Sequence, residues 1–214
     1  MNFWPEFLLI ATAHLLAVAS PGPDFAIVLR YAVRYGRKTA IYASLGIGTA
    51  ILLHVTYSLV GIGVLIKTTP WLFQLLSVAA ALYLIYLGQG AIRAKAPSLS
   101  ATAELTATTV DLPSNKSAFI AGFITNGLNP KATLFFLSLF AVVISAQTPF
   151  VYKAFYGLYM AVATAAWFTL LSCLLTQSKV RQFLLAKGFW FDRLMGILLL
   201  LLAGHLLLSS FTTA

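Results

Sequence analysis

Charges and helix breakers divide this chain into long apolar stretches separated by short polar clusters. A helix needs about 20 apolar residues to cross the hydrocarbon core of a bilayer. Six stretches qualify, at about 7–33, 40–65, 71–92, 118–144, 151–175 and 194–209. The first and fourth are interrupted near their middles, by Ser20-Pro21-Gly22-Pro23-Asp24 and by Asn126-Gly127-Leu128-Asn129-Pro130-Lys131. Proline removes an amide donor and clashes with the preceding turn, so Pro21, Pro23 and Pro130 predict helix breaks. Ser20-Pro21 and Asn129-Pro130 also have the form of an N-cap followed by proline at the first helical position. The pattern predicts an all-α integral membrane protein of six transmembrane helices, with helices 1 and 4 restarting inside the membrane.

Composition agrees. Hydrophobic residues make up 60% of the chain and charged ones only 9%, against about 25% charged in ordinary globular proteins, and the mean hydropathy is +0.91. These values exclude a soluble monomer. The net charge of +9 gains meaning from its placement. Eleven bases fall on one side of the six spans: Arg30, Arg34, Arg37 and Lys38, then Arg93, Lys95 and Lys116, then Lys179, Arg181, Lys187 and Arg193. Lys67 and Lys153 fall on the other. Cytoplasmic loops concentrate Lys and Arg, so the split predicts a multi-pass protein of the cytoplasmic membrane with both termini extracytoplasmic. The bases then face anionic lipid, and nucleic acid is not an expected partner. Trp4, Trp71 and Tyr152 fall at outer ends and Trp190 at an inner one, as interfacial anchors do; Trp167, deep in span five, is the exception.

Ala17-Val18-Ala19 imitates a signal-peptide cleavage site, but Glu6 precedes it without any Lys or Arg, so this segment is expected to remain as a span. Cys173 is the single cysteine, which excludes an intrachain disulfide and a thiolate cluster. The stretch 93–116, rich in Ala, Ser and Thr with Pro97 and Pro113, reads as a flexible cytoplasmic joiner. The expectation is a single transmembrane domain over 1–214, with halves of about 1–92 and 117–214.

Backbone amides left unpaired at a helix restart cannot face lipid, so they must face protein or a water-filled cavity. Half-helix N-termini suit an anion such as a carboxylate. Pro130 follows Pro23 by 107 residues, half the chain length, and span one runs inward where span four runs outward. Two three-helix halves of opposite topology, each opening with an interrupted helix, predict a 3+3 inverted repeat with a site near the midplane. Asp24 is the only acid inside a span and Lys131 the clearest base there. Burial of either without a partner costs several kcal/mol. Two readings follow: an Asp24–Lys131 pair that holds the halves together, or a bipolar site in which Asp24 receives an ammonium or a proton while Lys131 and the half-helix amides meet a carboxylate. An α-amino acid suits the second reading without burying net charge. Ser20, Gly22, Asn126 and Asn129 complete the candidate substrate site, with Ser20 and Asn129 also expected as helix caps.

His14 and His54 lie within spans one and two and His205 near the outer end of span six. Histidine titrates near physiological pH, so His54 joins Asp24 as a candidate for proton coupling; His14 reads as an interior imidazole. No spacing of His, Cys or acids predicts a metal site, and nothing calls for a cofactor. Gly46, Gly48, Ala50, Gly61, Gly63, Gly88 and Gly90 predict close helix packing.

These residues together resemble the LysE/RhtB family of amino-acid exporters over nearly the whole chain. The resemblance is carried by Ser20 to Asp24, then Gly36-Arg37-Lys38 and Gly46-Ile47-Gly48, the stretch Tyr83 to Gly88, and Phe119, Gly122, Phe123, Asn126, Asn129-Pro130-Lys131-Ala132 and Phe135-Phe136. It implies export of amino acids or close derivatives across the cytoplasmic membrane, driven by the proton gradient, with Pro21, Gly22, Pro23, Asn126, Asn129, Pro130 and Lys131 as the motif residues. Many relatives have a proline-containing turn soon after the paired phenylalanines. Here 137–144 has none, which implies a straighter outer end of span four. A metal or inorganic-ion exporter is the first rival, although it calls for more intramembrane acids or a His/Cys-rich loop. An intramembrane enzyme is the second, lacking a recognisable nucleophile and base. The identity of the exported compound and a homo-oligomeric state are left open by the sequence.

Overall fold

The computed structural model describes residues 3–20, 22–68, 70–93, 112–144, 147–187 and 189–212. Among these, every regular element is helical: α1 (Phe3–Ala19), α2 (Pro23–Arg34), α3 (Arg37–Thr68), α4 (Pro70–Ile92), α5 (Asn115–Gly127), α6 (Pro130–Ser138), a π-helical turn (Leu139–Val143), α7 (Phe150–Leu175), α8 (Ser178–Lys187) and α9 (Phe189–Thr212). Arg37–Val60 and Phe150–Leu175 are each apolar and long enough to cross a membrane, and α1 with α2, bent by 53° at their break, are so when taken together as one broken segment. Most of the joiner expected at 93–116 lies outside the described residues.

Sequence chemistry explains the ends. Tyr35 closes α2 by donating to the Tyr31 carbonyl. Gly36 then turns the chain into α3 with φ of 85°, a left-handed conformation that a side chain disfavours. Ser114 caps α5 by accepting from the Ser117 amide. The segment after α6, expected to be a straighter helix for want of proline, is not a plain helix. It winds as a π-turn in which the Ile144 amide reaches the Leu139 carbonyl at 3.1 Å. The wider turn keeps Ser138, Leu139, Phe140 and Ile144 all buried. The short α8 is a further element that the apolar pattern did not predict.

Packing runs along three long seams, α3 with α5, α3 with α7, and α4 with α9. Gly46 and Gly122 let backbones touch: a Cβ at Gly46 would lie 2.0 Å from the Phe119 carbonyl oxygen, and one at Gly122 2.0 Å from that of Ala43. Further along, Gly127 meets Leu53 and Asn126 meets His54, so α3 and α5 run parallel. Gly48 on Ala165, Gly157 on Val55 and the 2.9 Å Ser44–Ser172 hydrogen bond make α3 and α7 antiparallel.

The exterior is unlike a soluble protein's, although the core is apolar as well. Leu8, Leu53, Val60, Leu82, Leu158, Val162 and Leu201 are exposed, while His14, Ser20, Ser44, His54, Ser58, Asn126, Asn129, Thr164 and Ser172 are buried. Trp4, Trp71, Tyr152 and Trp190 are exposed too. An apolar exterior of this extent requires a nonpolar surrounding. Ser20, Asn126 and Asn129 gather where α1 meets α2 and α5 meets α6, whereas Ser44 and Ser172 pair on the α3–α7 seam.

Candidate functional site

Both restarts exist, and they are built differently. At the second, Asn129 caps α6 as expected: its Oδ1 accepts from the Lys131 amide at 3.0 Å, and Pro130 holds the first helical position. The expected cap at the first is corrected. Helix α2 begins after Gly22, which is extended (φ −168°, ψ −165°) and offers no side chain, with Pro23 at the first position. Ser20 still belongs to the end of α1, its amide donating to the Leu16 carbonyl at 3.2 Å. The second proline therefore sets the restart; Pro21 lies outside the described residues.

Each break holds the charge of the other. Asp24, in the first turn of α2, accepts at Oδ2 from Asn126 Nδ2 (3.0 Å) and Asn129 Nδ2 (3.1 Å). Lys131, in the first turn of α6, donates from Nζ to the Ser20 carbonyl (3.2 Å) and to Ser20 Oγ (2.9 Å). Helix ends explain the exchange. A carboxylate is favoured at the positive N-terminus of α2, whereas an ammonium is disfavoured at that of α6 and favoured at the negative C-terminus of α1. Lys131 is within electrostatic reach of Asp24, but the carboxylate takes its hydrogen bonds from the asparagines. Its Oδ1 is buried and has no hydrogen-bond partner, as is Asn126 Oδ1.

Ser20, Gly22, Asp24, Asn126, Asn129 and Lys131 line one small cavity of about 40 Å³ that is partly open to the outside. The sequence had proposed these six, and the fold brings all of them together. The remaining wall is mainly apolar, from Ala17, Val18, Ile51, Phe135, Phe136 and Phe168. His54 does not line it. Its Nε2 donates to the Asn126 carbonyl at 3.0 Å, its Nδ1 pairs with the Tyr57 hydroxyl, and its ring stacks on Phe136 at 5.5 Å. Thr133 of α6 bonds Tyr57 in turn, so His54 braces the second break from behind. His14, read from sequence as an interior imidazole, lies on the cavity wall together with Thr164. Trp167 packs against the apolar cluster around Val28 and Phe168. The side chain of His205 is outside the described residues. Among the described residues no group of three His, Cys, Asp or Glu is placed to hold a metal ion.

An all-helical membrane protein with a polar cavity where two broken helices meet is the class that this fold and site define. The chain belongs to the LysE type translocator family, whose sequence model matches residues 15–210; its members are translocators rather than enzymes. The chain is 32% identical to the threonine efflux protein of Escherichia coli K12 over 209 residues, covering 95% of this chain and 98% of that one. It is 30% identical to the threonine efflux protein of Salmonella typhi over 205 residues, again 95% and 98%. A leucine efflux protein of Salmonella choleraesuis is 34% identical over 151 residues, 70% of this chain and 66% of that one. No solved structure matches the chain.

Proposed function

We propose that this protein exports amino acids or close derivatives across the cytoplasmic membrane, binding them as zwitterions between Asp24 and Lys131. The observation that carries this reading is the crossed pairing of the two breaks. A carboxylate with one oxygen that lacks a hydrogen-bond partner and an ammonium that donates to Ser20 line one cavity. A substrate ammonium would take Asp24, and a substrate carboxylate would take Lys131 and the half-helix amides. The threonine and leucine efflux proteins among its relatives support an amino-acid cargo.

In this reading the chain is one transmembrane domain of six spans. Its halves, about 1–92 and 117–214, are joined by a cytoplasmic loop and related as an inverted repeat, with both termini extracytoplasmic. Reciprocal contacts support the repeat. Gly88 and Gly196, 108 residues apart, pack against each other's carbonyls. Gly48 and Gly157, 109 apart, each pack from their own helix onto the other's. Those spacings lie close to the 107 between Pro23 and Pro130. Export is coupled to the proton gradient through Asp24, to which His54 is linked by way of Asn126.

Purified protein in liposomes loaded with mixed amino acids, under an imposed pH gradient, tests this. Gradient-dependent movement of one amino-acid class, lost in Lys131→Ala, is expected. If no amino acid moves although the protein is folded and inserted, the export reading is wrong. If Asp24→Asn leaves gradient-driven movement intact, the coupling role of Asp24 is wrong.

A further inference from the structure

Pro130 leaves a gap in span four that the span itself fills only in part. In an unbroken helix the Asn126 carbonyl would accept from the amide of residue 130, but proline has no such hydrogen. The Asn129 amide reaches that carbonyl at 2.9 Å. The second donor comes from another helix: His54 of α3 is wholly buried, and its Nε2 lies 3.0 Å from the same oxygen.

The hydrogens on this side of the break can be placed one after another. A carbonyl only accepts, so Nε2 of His54 carries the ring hydrogen. In the neutral imidazole Nδ1 is then an acceptor, and its partner, the Tyr57 hydroxyl, donates to it. That uses the one hydrogen of the Tyr57 hydroxyl. Thr133 of α6, the further hydrogen-bond partner of Tyr57, therefore donates to the phenolic oxygen. The run leads from Thr133 through Tyr57 and His54 to the Asn126 carbonyl. It starts on α6, passes along α3 between two residues that share a face, and ends on α5, so it bridges the break.

The bridge matters because of what the two half-helices carry. Asn126 of α5 and Asn129, the cap of α6, donate from their side chains to one oxygen, Asp24 Oδ2, at 3.0 and 3.1 Å. Two donors on two helices meet one oxygen only while those helices keep their separation and angle. The link between them gives little hold, since Gly127 has no side chain and that of Leu128 is 78% exposed. Resting on the export reading above, we infer that Tyr57 and Thr133 are positioning residues of the transport site: together with His54 they fix the two halves of span four so that Asn126 and Asn129 converge on Asp24. None of the three is among the residues that line the cavity, so their effect on a substrate passes through the asparagines.

Initial rates of gradient-driven transport in proteoliposomes test this, for the amino acid that the unaltered protein moves fastest from a loaded mixture. Tyr57→Phe and Thr133→Val each remove a hydroxyl at nearly constant volume. Each is expected to raise KM by about threefold to tenfold, the worth of one hydrogen bond, with kcat changed less, because a carboxylate held off its place binds the substrate ammonium less well. Thr133→Ser, which keeps the hydroxyl, is expected to retain the KM of the unaltered protein. The two residues act in one run, so the double variant should raise KM no further than the larger single effect, and either single variant serves where the other does not fold. A KM unmoved by both, a fall in kcat alone, or a Thr133→Ser variant as impaired as Thr133→Val overturns the positioning role and leaves amino-acid export standing. An unaltered protein that moves no amino acid overturns the export reading, and this role with it.

Discussion

The two helix breaks share a grammar but not a construction. The second is clamped on several sides: Asn129 caps α6, His54 grips the Asn126 carbonyl, and α5 lies backbone to backbone on α3 through Gly46 and Gly122. The first has no side-chain cap, and a Cβ at its capping Gly22 would meet nothing closer than 3.5 Å. Its Asp24 and Ser20 are tied to the second break by hydrogen bonds with Asn126, Asn129 and Lys131. A rigid partner and a roomier one, joined through two opposite charges, is an arrangement in which a ligand can replace the linking bonds without rebuilding either helix. The comparison also shows why the charges are not interchangeable. Asp24 suits the helix end on which it stands, and Lys131 suits the end of a different helix.

That asymmetry gives the largest expected effect. Removing one of these two half-buried charges leaves the other without its counter-charge and removes one pole of the proposed zwitterion site, so Lys131→Ala and Asp24→Ala should each lower transport by more than a hundredfold. The double exchange D24K/K131D restores net charge, yet it should not restore transport. A carboxylate at 131 would face the Ser20 carbonyl, and an ammonium at 24 would sit at the positive end of α2. Flux assays of the single and double variants side by side decide the matter; recovery in the double variant would mean that the breaks are electrically equivalent.

A second test concerns the clamp. A methyl at Gly46 would lie 2.0 Å from the Phe119 carbonyl oxygen, so Gly46→Ala must push α5 away from α3. Overpacking of this kind costs about 1–3 kcal/mol. A methyl at Gly90 of α4 would meet nothing within 4 Å, and Gly90→Ala should be neutral or slightly stabilising through helix propensity. Thermal unfolding in detergent should show a clear fall in Tm for the first and none for the second. Equal behaviour of the two would remove the tight seam from the account of the second break.

The parts of this site that were legible in the sequence are those fixed by local chemistry. Proline inside an apolar stretch announces a restart, and isolated charges there announce a polar cavity, so Asp24, Asn126, Asn129 and Lys131 could be named beforehand. The partners could not, because they depend on how helices more than a hundred residues apart pack. Ser20 looked like the cap of the following helix and is in fact the seat of the Lys131 ammonium. His14 looked like a satisfied interior imidazole, and only the fold shows that one of its nitrogens lacks a partner. The π-turn at Leu139–Val143 had no proline to signal it; it reflects the need to bury neighbouring side chains against the core.

The smallest effect expected belongs to Gly22, and it separates room for the protein from room for the ligand. Its extended φ of −168° is open to any residue, and a methyl there would stand 3.5 Å from Lys131 Nζ and 3.8 Å from Cδ, ordinary van der Waals distances. Gly22→Ala should therefore leave Tm unchanged. The methyl would nevertheless occupy space on the cavity wall beside the ammonium that a carboxylate is proposed to approach. A rise of about threefold to fivefold in apparent KM is expected, less than the 1.4 kcal/mol that a tenfold change requires. An unchanged KM would move the carboxylate away from Gly22 and toward the amides of α6, whereas a lowered Tm would mean that the first break is packed as tightly as the second.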